Sequence, residues 1–211
     1  MPADPAVPAS QVTTARGTGL VVALTFDDGP NPGETEDLLD FLAETHITAV
    51  FCVIGGNVLA PGGAEVLRRT VAEGHVLANH TTSFADMGGW PAERVRDDLV
   101  ANLRIIREAV GDVDVPYFRA PNGSWGVTAA VAAELGMQPL GLGNVIFDWE
   151  TQDEETLVTN LRAAIRPGEI ALAHDGGGDR WSTVRAVRRV VTERLSEGWA
   201  FTLPAGHGPR E

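Results

Sequence analysis

Two adjacent carboxylates, Asp27 and Asp28, stand inside Thr25-Phe26-Asp27-Asp28-Gly29-Pro30, directly after the apolar run from Leu20 to Leu24. The run reads as a buried strand and Gly29-Pro30 as the turn that stops it. Side chains alternate along a strand, so the two acids are expected to do different work. One can hold a metal while the other takes a proton. Four more polar clusters follow apolar stretches in the same way: Asn79-His80, Arg119, Asp148-Trp149 and His174-Asp175. An isolated Asp-Asp-Gly is most often a solvated loop, and a lone His is most often structural. Clusters at five equivalent places speak for a shared site, because chemistry in α/β folds gathers at the C-terminal ends of the strands.

The elements that would carry these residues alternate along the chain. Strands are expected at Leu20 to Phe26, Ala49 to Ile54, His75 to Asn79, Pro116 to Arg119, Glu169 to Ala173 and Trp199 to Leu203, with short extended pieces at Met137 to Leu142 and Val145 to Phe147. Helices are expected at Glu34 to Thr45, Ala64 to Glu73, Pro91 to Val110, Val127 to Leu135, Glu154 to Ile165 and Ser182 to Glu197. Leu38, Leu39, Phe41 and Leu42 form the apolar face of the first helix. Gly74, Gly111 and Gly136 follow three of the helices, as C-terminal stops do. Strand and helix in alternation predict parallel strands with right-handed crossovers. The expected fold is α/β, a closed or nearly closed barrel of about seven parallel strands in one domain over residues 18–205, with a disordered leader over 1–17 and a tail over 206–211.

The chain has 211 residues, enough for one domain with a full core. A formal charge of −13 speaks against nucleic acid and anionic membrane surfaces as partners. No segment is long and apolar enough to span a bilayer. The first 17 residues are rich in Ala, Pro, Thr and Ser, without the basic start and apolar stretch of an export signal. The expected location is therefore the cytoplasm, or outside the cell if a signal has been removed. The single cysteine, Cys52, lies in the apolar run from Ala49 to Ile54 and is expected in the core rather than as a nucleophile. Nothing in the sequence sets the oligomeric state.

With these clusters in place, the chain resembles the polysaccharide deacetylases, also called NodB-homology domains or family 4 carbohydrate esterases. The resemblance runs from about Leu20 to Leu203. Thr25-Phe26-Asp27-Asp28-Gly29-Pro30 matches the first motif of that family in full. Phe118-Arg119-Ala120-Pro121-Asn122-Gly123-Ser124-Trp125 is similar to the third, Asp148-Trp149 to the end of the fourth, and Leu172-Ala173-His174-Asp175-Gly176-Gly177-Gly178-Asp179 to the fifth. The resemblance implies a deformed (β/α) barrel and metal-assisted amide hydrolysis on a small-molecule or oligosaccharide substrate. By that pattern Asp28 and His80 would hold a divalent ion, zinc by preference. Asp27 would act as base, with Arg119 and Asp148 orienting it, and His174 would protonate the leaving amine. The backbone N–H of Asn122 would face the oxyanion, and Trp149 and Leu172 would shape an acetyl-sized pocket.

The chain departs from the pattern in three places. Phe84 stands four residues after His80, where the family has its second metal histidine, and a phenyl ring has no lone pair to give. Catalytic zinc sites normally keep three protein ligands. His75 is expected on the opposite face of its strand, Asp86 is a lesser candidate that could fold in from the loop, and His46 and His207 are expected in solvated places. Asn122 replaces the usual Tyr, and Val145 the usual Asp three residues before Asp148. Three functions follow from this mixture: removal of an acetyl group from an N-acetylated amino sugar or related amide, acid–base chemistry on a non-polysaccharide metabolite with weak or no metal, and non-catalytic binding in the old cleft. Retention of Asp27 and His174 favours the first two over the third.

Overall fold

The structure, a computed structural model, describes residues 7–206. Its central strand is β1, Val21–Gly29. Along it Val22, Leu24 and Phe26 turn outward into the large core shared with the helices, while Ala23 lies in the smaller inner core. The same alternation runs through β2, Val50–Val53, and β3, Val76–Asn79: Phe51, Val53 and Leu77 face the helices, and Val50, Cys52, Val76 and Ala78 face inward. Two packed layers around a parallel sheet follow directly from this period of two. Cys52 is wholly buried, and burial pushes its thiol well above the usual range, as expected of a core residue.

The helices α1 (Glu34–Thr45), α2 (Gly55–Leu59), α3 (Gly63–Ala72) and α4 (Ala92–Val110) intervene between the early strands. After α4 come β4 (Tyr117–Phe118), α5 (Thr128–Glu134), β5 (Gln138–Pro139), β6 (Asn144–Val145), α6 (Glu154–Ala164), β7 (Glu169–His174), α7 (Trp181–Ser196) and β8 (Ala200–Thr202). Val95, Leu99, Leu103 and Ile106 form the buried stripe of α4, at the spacing that keeps one helical face inward. The strands pair in the order β5-β4-β3-β2-β1-β7-β6, every pair parallel. β8 pairs in parallel with the first residues of β1, where β2 has not yet begun. The ends of the path, β5 and β6, do not pair with each other, so this is a deformed (β/α) barrel left open at one seam.

Two expectations change here. Residues 12–15 are not a disordered leader. Val12 bridges Leu140 beside the seam, Thr14 bridges Glu169 at the start of β7, and Ala15 bridges Pro204 after β8. Gln138 Nε2 also donates to the carbonyls of Pro8 and Ser10, at 3.0 and 2.6 Å. The segment serves as an irregular strap between strand ends, and its polar composition hides that. The first six residues of the leader and residues 207–211 of the tail, with His207, lie outside the described residues. The short helix α2 was not expected, because it begins with Gly55-Gly56, two poor helix formers. Among the described residues no helix is long and apolar enough to cross a membrane.

His75 precedes β3 at the end of the barrel away from the polar clusters. Its ring packs edge-on to Phe51, with centroids 5.2 Å apart, and its Nδ1 accepts the Ala49 N–H at 3.2 Å. It is structural, as its position five residues before His80 implies. Burial pulls its pKa down to about 4 from 6.5, and protonation at Nδ1 would also break the Ala49 bond. A base whose folded pKa is depressed contributes stability above its unfolded pKa and loses it as pH falls toward the folded value. His75 should therefore cost the fold about 3 kcal/mol between pH 7 and pH 4. Urea unfolding at both pH values should show that loss in the wild type and a smaller one in His75→Asn, which keeps an acceptor but does not titrate.

Candidate active site

The inward column of β1 continues from Ala23 through Thr25 to Asp27, and Arg119 meets it from the strand end after β4. The guanidinium is fully buried, and its Nη1 donates to Asp27 Oδ1 at 2.6 Å and to Thr25 Oγ1 at 2.9 Å. Its Nη2 donates to the Gly141 carbonyl at 2.9 Å, so one side chain ties β1 to the seam. Burial alone would push the Asp27 carboxyl up. The positive charges of Arg119, His80 and His174 outweigh it and hold the acid below its usual range.

Asp28 does not follow the strand. Simple alternation would send it outward into the helices. Instead the register skips, with Asp27 opposite Cys52 and Gly29 opposite Val53, and Asp28 has a left-handed φ of 72°. This β-bulge swings its carboxylate into the same cleft as Asp27. The bulge is held from below. Asn57 Nδ2 donates to the Asp28 carbonyl at 2.6 Å, and a Cβ on residue 29 would lie 2.2 Å from Asp175 Oδ2, so only glycine fits there. Asp175 itself accepts from Thr35 Oγ1 at 2.7 Å, and burial pushes its pKa up to about 7.

His80 follows β3. Its Nδ1 lies 2.8 Å from the carbonyl oxygen of Arg119 and donates to it, which turns Nε2 toward Asp28 Oδ1 at 3.4 Å and Asp27 Oδ2 at 3.7 Å. Burial would lower the pKa of this imidazole, but the two carboxylates raise it. Nε2 and the Asp28 carboxylate make a pair of donors of the kind a divalent ion takes, with the ring orientation fixed from behind. Phe84 lines the same cleft and supplies no donor. Asp86 is exposed and accepts from the Gly88 N–H at 3.0 Å, and His46 is an exposed helix cap. Among the described residues no three His, Cys, Asp or Glu side chains come together as a metal site. The residues present do not fit a centre with three protein ligands.

The other side of the cleft is complete. His174 Nδ1 donates to Asp148 Oδ1 at 2.6 Å, and the His174 backbone N–H donates to Asp148 Oδ2 at 2.8 Å. Burial would lower the His174 pKa, but the Asp148 carboxylate, with help from Asp27 and Asp28, raises it. Asp148 therefore orients His174, not Asp27 as the sequence suggested. It reaches His174 because the chain leaving β6 runs beside the end of β7. Two residues went unnoticed in the sequence. Thr183 Oγ1 donates to Asp148 Oδ2 at 3.1 Å, and buried Arg180 donates to the carbonyls of Asp148 (3.2 Å), Gly176 (2.8 Å) and Gly177 (3.2 Å). A glycine-rich turn with carbonyls to satisfy, with an arginine two residues after its last glycine, was the available signal.

Trp149 stands edge-on to His174 with centroids 5.3 Å apart, and Leu172 is buried in the wall beneath. Asn122, with a left-handed φ of 57°, lines the cleft opposite. The whole cleft has a volume of about 740 Å³, within the range of small-ligand sites. Of the residues that the sequence pointed to, Asp27, Asp28, His80, Asn122, Trp149, Leu172 and His174 line the cleft, while Arg119 and Asp148 are buried behind Asp27 and His174.

The family model for polysaccharide deacetylases matches residues 15–140. A chitooligosaccharide deacetylase of Bradyrhizobium sp. (strain ANU 289) is 39% identical over 187 residues, covering 87% of this chain and 83% of the relative. A peptidoglycan-N-acetylglucosamine deacetylase of Bacillus cereus is 30% identical over 186 residues, covering 86% and 84%. Among solved structures, a family 4 acetyl xylan esterase from Clostridium thermocellum in complex with a cobalt ion superposes with a TM-score of 0.77 at 28% identity, covering 87% of each chain. This chain belongs to the polysaccharide deacetylase family.

Restoring the missing donor offers a direct test of the two-donor geometry. Phe84→His should raise affinity for Zn²⁺ or Co²⁺ at least about tenfold over the wild type in calorimetric titrations. Equal affinity in both proteins would contradict the assignment of position 84 to the metal side of the cleft.

Proposed function

We propose that this protein hydrolyses the acetamido group of an N-acetylated amino sugar, most naturally within an oligosaccharide. The observation that carries the reading is a pair of oppositely prepared groups facing one cleft. Asp27 is held ionised beside Arg119, and His174 is held toward its protonated form by Asp148. Titratable groups whose surroundings push their pKa values apart are the acid and the base of a reaction. The relatives named as deacetylases of chitooligosaccharides and peptidoglycan support the substrate class.

In this reading a water molecule enters beside Asp27, which takes its proton as the oxygen bonds to the amide carbon. The carbonyl oxygen gains the negative charge, with the Asn122 N–H as the nearby backbone donor. His174 Nε2, the ring nitrogen that Asp148 leaves free, gives its proton to the amide nitrogen. The C–N bond breaks and acetic acid and a free amine leave. The acetic acid gives its own proton to solvent, and the proton on Asp27 passes to His174, which restores both groups. Trp149 and Leu172 bound the space for the methyl group. No step runs through a metal ion, because the donors present do not make a three-ligand centre.

Acetate release from chitooligosaccharides tests the reading. Asp27→Asn keeps an acceptor for Arg119 but cannot take a proton, and should lower the rate at least about 100-fold. His174→Ala should do the same. A wild-type protein that releases no acetate, with or without added divalent metal, would contradict the proposal.

A further inference from the structure

Phe84 is an apolar ring left 50% exposed at the cleft that holds Asp27 and His174. Its exposure does not come from a loose loop. Gly55 and Gly56 donate to the carbonyls of Thr81 and Thr82 at 3.0 and 2.9 Å. The Thr82 N–H donates to Asp98 Oδ1 and the Thr81 N–H to Asn79 Oδ1, each at 2.9 Å. A ring presented in water by a fixed loop marks a contact surface when it lines a cleft.

The opposite wall is built alike. Phe147 and Trp149 are 47% and 51% exposed, with ring centroids 5.4 Å apart. Phe147 has a left-handed φ of 58°, rare for an aromatic residue and costly to hold. Between the aromatic walls the floor is polar, made of Asp27, Asp28, His80 and His174. A pyranose ring has the matching pattern. Its faces are C–H bonds with partial positive charge, which suit the negative faces of aromatic rings. Its edge carries hydroxyl groups, which suit carboxylates and imidazoles. An aliphatic chain would match the walls and leave the floor unpaired.

The geometry points to Phe84 as a stacking platform for a sugar ring of the substrate: the position that lacks a metal donor has become a glycan contact. The inference deepens the proposed function, since it takes the cleft to receive an amino-sugar oligomer. It treats Phe84 as a specificity residue that binds and does not take part in bond-making.

Calorimetric titration of the wild type and variants with chitotetraose tests it, with acetate release followed in parallel. Phe84→Ala and Phe84→Leu should each weaken binding by about fivefold or more, while Phe84→Trp stays within about twofold of the wild type. Phe84→His should lose sugar affinity as Ala does, even as it gains metal affinity. Tetramer binding that is unchanged in Phe84→Ala, or kept in full by Phe84→Leu, would overturn the stacking role, as would a wild type that does not bind the tetramer. Binding that depends on Phe84 without acetate release would uphold the stacking role and overturn the deacetylase reading. Acetate release with the same KM in the wild type and Phe84→Ala would do the reverse.

Discussion

The buried ion pair between Arg119 and Asp27 is the constraint around which the site is arranged. A guanidinium with no exposed surface must have a carboxylate and further acceptors close by, and Asp27, Thr25 and Gly141 supply them. Removing one partner of such a pair leaves a bare charge in the interior and typically costs 3–5 kcal/mol. The same residue reaches the other half of the cleft through its backbone, because its carbonyl fixes His80 Nδ1. One residue thus sets the charge state of Asp27 and the direction of His80. The inward alternation of β1 makes this possible by stacking Thr25 and Asp27 in one column. Away from that column, the strap over residues 12–15 bridges Leu140 after β5, Glu169 at the start of β7 and Pro204 after β8, while the seam between β5 and β6 stays open.

Either side of this pair, the two halves of the cleft differ in completeness. His174 has its carboxylate partner, and that partner is held in turn by Thr183 and by Arg180 through the backbone. Among the described residues Asp28 and His80 have each other and no third donor. The half built for proton transfer is intact, while the half that would hold an ion carries an aromatic ring.

Much of this was legible in the sequence, for a simple reason. Apolar runs such as those before Asp27 and His174 read as buried strands, and the charged or imidazole residues that end them stand at the rim. Asp27, Asp28, His80, Arg119, Asp148 and His174 were found that way. What stayed hidden depends on neighbours distant in the chain or on backbone geometry. Asp148 serves His174 because β6 lies against β7, which no local pattern announces. The bulge that redirects Asp28 comes from a positive φ at a residue that usually avoids it. The strap over residues 12–15, Val-Thr-Thr-Ala, is too short a run for its bridges to leave a periodic trace, and Gly55-Gly56 masks α2.

The most direct test of the account is the pH dependence of kcat/KM for acetate release from a chitooligosaccharide. Asp27 is held below its usual 3.8 and so is ionised well before neutrality. His174 is held above its usual 6.5 and so stays protonated toward neutrality. The account predicts a rate that is flat from about pH 5 to pH 6.5 and falls only as pH rises through the raised His174 value. A rate that climbs with pH across that range would contradict it, since the base would then be a group other than the Arg119-paired Asp27.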